Sequence, residues 1–156
     1  EEALERFPEA RFNIDIKSSD AIIPTVTVVK NMGAEDRVLI TSFSDKRRKK
    51  ALAIIGNVAT SGSAISYAVA LISLRVGLTG IAAYILRNFD ALQIPEKSLG
   101  ITASCQTMIA RFKKLGILVY FWTINDSEVM VELVRRGADG VVTDRTDIAV
   151  KTLKKL

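Results

Sequence analysis

The residues best placed to do chemistry lie between Val119 and Asp147, in VYFWTINDSEVMVELVRRGADGVVTDRTD. An apolar strand runs into Trp122-Thr123-Ile124-Asn125. A short amphipathic helix and a glycine turn follow, and a second apolar strand ends at Thr143-Asp144. Such a strand–helix–strand unit delivers polar side chains from both strands at one end, and in parallel barrels that end carries the active site. One chemistry is excluded from this chain alone. It contains no histidine, so it has no imidazole to act as a base.

The elements that must position these residues recur along the chain. Six short apolar runs read as strands, at residues 11–16, 38–43, 57–60, 89–94, 117–123 and 139–143. Most are continuous rather than alternating, the pattern of parallel strands covered on both faces. Helical stretches fall between them, at about 20–31, 45–55, 64–86 with an interruption, 102–115, 127–136 and from 147 onward. Strand alternating with helix implies a parallel α/β architecture. Gly116 and Gly137 stop two of the helices, Ser44 or Asp45 caps another, and Pro24 is tolerable only in a first turn. The stretch 64–86 holds 23 residues with one charge, Arg75, and is long enough to span a bilayer. A central arginine would cost about 2.5–3.5 kcal/mol there, so a buried helix pair broken near Arg75–Gly80 is the better reading.

Composition narrows the function classes. The chain has 156 residues, 49% hydrophobic, a net charge of +5 and one cysteine, Cys105. That suffices for a substantial core and rules out an internal disulfide framework. Lys46-Arg47-Arg48-Lys49-Lys50 is a block of five cations. No aromatic residues interleave with it and no second patch supports it, so a solvated helix start is preferred over a nucleic-acid surface. There is no G-x-G-x-x-G, G-x-x-x-x-G-K-[ST], C-x-x-C or histidine-based metal signature. The abrupt start at EEALERF reads as a domain cut from something longer. No signal segment opens the chain, no compartment is fixed, and the cytoplasm is favoured.

Four blocks in order resemble motifs of the glycerophosphodiester phosphodiesterase family, C-terminal part only. Phe12-Asn13-Ile14-Asp15-Ile16-Lys17 is similar to its N-I-E-I-K strand, and Val38-Leu39-Ile40-Thr41-Ser42-Phe43 to its strand ending in S-F. Val119-Tyr120-Phe121-Trp122-Thr123-Ile124-Asn125 resembles its W-T-V-N strand. Residues 137–145, GADGVVTDR, resemble its closing G-V-D-G-I-I-T-D-R-P. The resemblance implies a TIM-type (β/α) barrel, of which this chain holds about six of eight strand–helix units. The family's H-R-G, E-x-D and H-D motifs would precede residue 1, which accounts for the missing histidines.

By the same resemblance, Asp15 stands at the family's third metal-ligand carboxylate, with Mg²⁺ or Ca²⁺ as the cation. Lys17 matches the lysine facing the phosphate, where a point charge stabilises developing negative charge. Trp122 matches the tryptophan that lines the pocket against glycerol, and Phe43 flanks the same mouth. From their positions in the chain rather than from the resemblance, Gln93, on the strand before Pro95, is a candidate to point inward, and Thr143 and Asp144 are expected to cap the last helix rather than touch substrate. The implied parent reaction is metal-assisted hydrolysis of glycerophosphodiesters to glycerol 3-phosphate and an alcohol. The chain alone is expected to be inactive and to hold no cation firmly. It is also expected to self-associate, or to need an N-terminal segment to complete the barrel. The alternative is a non-catalytic phosphate-binding or interaction module on a barrel scaffold.

Overall fold

The computed structural model describes residues 1–154 and residue 156. It divides into two compact units, Glu1–Ile65 and Ser66–Leu156. The first opens with α1 (Glu2–Arg6) and β1 (Phe12–Asp15), then α2 (Ile22–Asn31) and a 3₁₀ turn (Glu35–Arg37). It continues through β2 (Val38–Thr41), α3 (Asp45–Ile55) and β3 (Ala59–Thr60). The strands are parallel in the order β1-β2-β3, with Asp15 opposite Thr41 and Ile40 opposite Thr60. Pro24 is the third residue of α2, where its missing N–H costs no helical bond. Ser44 caps α3 by accepting from the Arg47 amide. The apolar faces of α2 and α3 bury Ile22, Val26, Val29, Ala51 and Ile55 in one cluster with Val38 and Ile40. Removing such side chains from water is worth about 1.5–3 kcal/mol each.

The second unit takes α4 (Ala64–Arg75), which begins at the boundary, and α5 (Thr79–Leu86). After them come β4 (Ala91–Ile94), β5 (Lys97–Ser98), β6 (Ile101–Thr102), α6 (Gln106–Lys114), β7 (Leu118–Phe121), α7 (Ser127–Arg135), β8 (Gly140–Val141) and α8 (Thr146–Leu153). Its parallel sheet has the order β4-β7-β8. Phe112, Phe121, Leu92, Ile109 and Met130 are all fully buried in its core. Gly140 lies opposite Tyr120 in the β7–β8 register, where a Cβ would come within 3.0 Å of the Tyr120 ring. A residue with one fits only if that ring gives way by a few tenths of an ångström.

Several expectations are corrected here. The parallel strands form two three-stranded sheets rather than one curved six-stranded sheet, and neither closes on itself. β3 is only two residues long and its ladder runs to β2. Burial on both faces describes β4, whereas β2 alternates buried and half-buried residues. The helix expected from residue 102 starts at Gln106, because Ile101–Thr102 turns back antiparallel onto Lys97–Ser98. The intervening Leu99 and Gly100 both have positive φ, as a tight hairpin turn requires. A leucine in that role gives no signal in the sequence.

The 64–86 stretch breaks as expected, into helices of 12 and 8 residues. No helix among the described residues is long and apolar enough to cross a membrane. The pair is buried on one face only. Tyr67, Leu71, Leu74, Ala82 and Leu86 pack inward, while Ile72, Val76, Leu78, Ile81 and Tyr84 are exposed. The basic block is also not wholly solvated. Arg48 is buried, donating to Asp45 Oδ1 at 2.8 Å and to Thr60 Oγ1 at 3.4 Å.

Candidate functional site

Polar residues gather where strands end, and each unit builds its own rim. In the first, Asp15 closes β1, and Ile16, fully buried, extends the pairing by donating its amide to Thr41 O at 2.9 Å. Lys17 follows, largely exposed, with Nζ 3.9 Å from Asp15 Oδ2. The exit of β2 supplies Ser42 and Phe43. The buried Ser42 hydroxyl donates to Ile16 O at 2.7 Å and accepts from the Ser44 amide at 3.3 Å. Phe43 is 63% exposed, which a ring committed to core packing would not be. Arg47, one turn into α3, donates Nε to both Ile16 O and Ser42 Oγ at 3.2 Å. Asp15, Lys17 and Phe43 thus sit at the same end of a parallel strand pair, and Ser42 with Arg47 locks that end.

In the second unit, Trp122 directly follows β7. It is half-buried, its amide donates to Ile94 O at 3.1 Å, and its peptide to Thr123 is cis. Ile124 donates its amide to Val142 O at 3.0 Å. The Asn125 carboxamide ties the two strand exits together. Its Oδ1 accepts from Thr143 Oγ1 at 2.9 Å and from the Asp144 amide at 3.0 Å, while its Nδ2 donates to Asp144 Oδ2 at 3.3 Å. Thr143 Oγ1 in turn accepts from the Arg145 amide at 2.9 Å. This overturns the assignment of Thr143 and Asp144 as caps of the last helix. The N-cap position of α8 is Arg145 and no side chain caps it. The two residues brace β8 against β7 instead.

Trp122 belongs to a different unit from Asp15, Lys17 and Phe43. Ser42, Arg47 and Asn125 were not singled out from the sequence. Ser42 and Asn125 do stand inside the S-F and W-T-I-N blocks, whereas Arg47 was hidden in its basic run. A groove between α7 and α8, lined by Ser127, Glu128, Val131, Glu132, Arg135 and Thr152, contains none of these residues.

The fit of a divalent cation can be tested on the oxygen donors present. Asp15 Oδ1 is buried without a hydrogen-bond partner, an oxygen a cation could take. Mg²⁺ and Ca²⁺ demand six to eight oxygens, usually including more than one carboxylate. Among the described residues no three carboxylate, imidazole or thiolate side chains come together. The residues present therefore do not form a cation site by themselves.

A model of the glycerophosphoryl diester phosphodiesterase family matches residues 1–148. A Mycobacterium tuberculosis protein named probable glycerophosphodiester phosphodiesterase 2 is 34% identical over 149 residues, covering 95% of this chain and 56% of its own length. A Caldanaerobacter subterraneus glycerophosphodiester phosphodiesterase is 26% identical, covering 92% of this chain and 55% of that protein. The chain thus spans little more than half the length of the curated relatives it matches. Crystal structures of glycerophosphodiester phosphodiesterases from Parabacteroides distasonis and Agrobacterium tumefaciens superpose with TM-scores of 0.68 each, at 20% and 18% identity. They cover 99% and 97% of this chain and 60% of theirs, so the α/β fold matches part of a TIM-barrel structure.

Proposed function

The chain belongs to the glycerophosphoryl diester phosphodiesterase family, and on that footing we propose that it is the substrate-facing C-terminal portion of a glycerophosphodiesterase barrel. The parent reaction would be hydrolysis of a glycerophosphodiester to glycerol 3-phosphate and an alcohol. The observation that carries this reading is the rim of β1 and β2, where a carboxylate, a lysine and an exposed aromatic ring leave the strands at one end. Lys17 is the cation facing the phosphoryl oxygens. A fixed charge there stabilises the negative charge that grows as the ester bond breaks. Phe43 offers apolar surface beside the same strand ends, and Trp122 is an aromatic ring of the kind that walls a glycerol moiety while its indole N–H holds a hydroxyl. Asp15, whose Oδ1 is buried without a hydrogen bond, would offer one oxygen to a divalent cation if further ligands were supplied to it, and such a cation would stabilise charge on the phosphoryl oxygens.

With no imidazole among its 156 residues, the chain by itself lacks the acid–base group this reaction would draw on. Acid–base groups typically supply about 10²–10⁴-fold in rate. β1 and β8 stand at outer positions of their sheets, each with a row of backbone groups to offer. Open edges of that kind pair with another chain, so the isolated chain self-associates or captures an N-terminal segment. The decisive test is release of glycerol 3-phosphate from a panel of glycerophosphodiesters by the full-length gene product, with and without a chelator. Turnover restored by Mg²⁺ or Ca²⁺ and abolished by Asp15→Ala supports the reading. Turnover by the purified 156-residue chain, or a full-length product that binds but never hydrolyses, overturns it. The latter result would favour a phosphate-binding module.

A further inference from the structure

The basic block at the start of α3 divides once its partners are followed. Arg48 and Lys49 both pair with Asp45, at 2.8 Å each. Arg47 turns the other way, toward the strand ends. Its Nε is held by Ile16 O and Ser42 Oγ, and Ile16 is the residue between Asp15 and Lys17. Arg47 enters none of the ion pairs among the described residues. Its Nη1 and Nη2 groups have no protein acceptor there either, although the side chain is half-buried.

We propose that Arg47 is a second phosphoryl-binding residue of the β1–β2 rim, its two Nη groups taking the ligand's oxygens beside Lys17; this rests on the reading of that rim as the phosphate end of the site. A guanidinium anchored through Nε presents a planar pair of donors that matches two oxygens of one phosphoryl group. Lysine supplies a point charge and no such fork. Anchoring on a buried carbonyl and a buried hydroxyl removes most of the side-chain freedom that binding would otherwise have to freeze. A staple joining β1 to β2 would need only Nε. The terminal groups distinguish the two roles.

The experiment is a titration of the isotope-labelled full-length gene product with inorganic phosphate and with glycerol 3-phosphate. It follows the Arg47 side-chain N–H signals and the Lys17 amide by NMR. Saturation of both with one dissociation constant is expected. Arg47→Gln should raise that constant about tenfold, the size of one charge-assisted hydrogen bond, and Arg47→Lys should raise it less. Lys17→Gln should weaken binding comparably. If Lys17→Gln weakens binding and Arg47→Gln does not, the proposal fails while the rim remains the phosphate end. If neither wild-type signal saturates, the rim reading fails and takes the proposal with it. Should Arg47→Gln not fold, the wild-type titration decides alone. Arg47 signals that stay still while Lys17 saturates overturn the role.

Discussion

The rim of β1 and β2 and the rim of β7 and β8 are made from the same parts: parallel strand ends, a buried apolar residue just past the pairing, and a short polar side chain bridging to the neighbour. They differ in what is left over. At β7–β8 the polar groups satisfy one another. Asn125 meets Thr143 and Asp144, Thr143 meets Arg145, and Arg145 pairs with Asp147 at 3.0 Å. At β1–β2, among the described residues, the bridge through Ser42 leaves Asp15 Oδ1 without a hydrogen bond and the Arg47 Nη groups without a protein acceptor. Lys17 has only a 3.9 Å partner. A closed network stabilises, whereas an open one has capacity for a ligand. The first rim is therefore the one to which the proposed phosphate chemistry is assigned, and the second ties the exits of β7 and β8 together.

The largest effect that could break this comparison is on turnover. In the full-length gene product, Lys17→Ala should lower kcat/KM about 10²–10³-fold, the usual loss when a positioned donor to a developing oxyanion is removed. Its thermal midpoint should hardly move, because Lys17 is 83% exposed. Asn125→Ala should do the reverse. A stability loss from Lys17→Ala matching its activity loss would mean that this rim is structural after all.

Next in size is the lock itself. Ser42→Ala leaves the Ser44 amide without its acceptor and the buried Ile16 carbonyl with Arg47 Nε alone, and should cost about 1–3 kcal/mol in stability. Asn125→Ala also removes three bonds, but from a solvent-exposed side chain whose partners can turn to water. About 1 kcal/mol is expected there. Urea unfolding of the two variants measures the difference, and an Asn125 effect equal to that of Ser42 would place the tighter lock on the wrong rim.

Much of this was legible in the sequence, for reasons that differ by residue. The Ser44 cap, α3, the Gly116 and Gly137 stops and the β7–α7–β8 unit follow from local preferences that the tertiary structure leaves unopposed. Asp15, Lys17, Phe43 and Trp122 lie in three of the four ordered blocks, which is what brought them forward as candidates. The β5–β6 hairpin was missed because its turn uses Leu99 at φ 52°, against leucine's preference. Arg47 and Arg48 were indistinguishable in KRRKK, since which neighbour faces a strand end and which is buried depends on helix phase against a sheet. The Asn125 network joins residues 18 and 19 positions apart, so no local window contains it.

The smallest expected effect compares two carboxylates near the rims under acid. Burial raises the pKa of Asp45, but hydrogen bonds and charge from Lys49 and Arg48 together outweigh it, so the group lies below its ordinary 3.8. Asp147 is also lowered, chiefly by its hydrogen bond from Arg145, yet it is fully exposed. A carboxyl that ionises more readily in the folded state stabilises the fold while charged. That contribution is complete above the unfolded pKa, near 4, and disappears as pH falls through the lower folded value. Asp45→Asn should therefore move the acid-unfolding midpoint of the first unit upward in pH, and it leaves the buried Arg48 without its carboxylate. Asp147→Asn should shift the second unit less, and high salt should erase that shift, because an exposed pair is screened by solvent and ions. Acid titrations followed by amide NMR signals from each unit, at low and high salt, measure both. Equal shifts, or an Asp147 effect that survives 1 M salt, roughly three Debye-screened ångströms of reach, would show that the second rim holds its charges as tightly as the first.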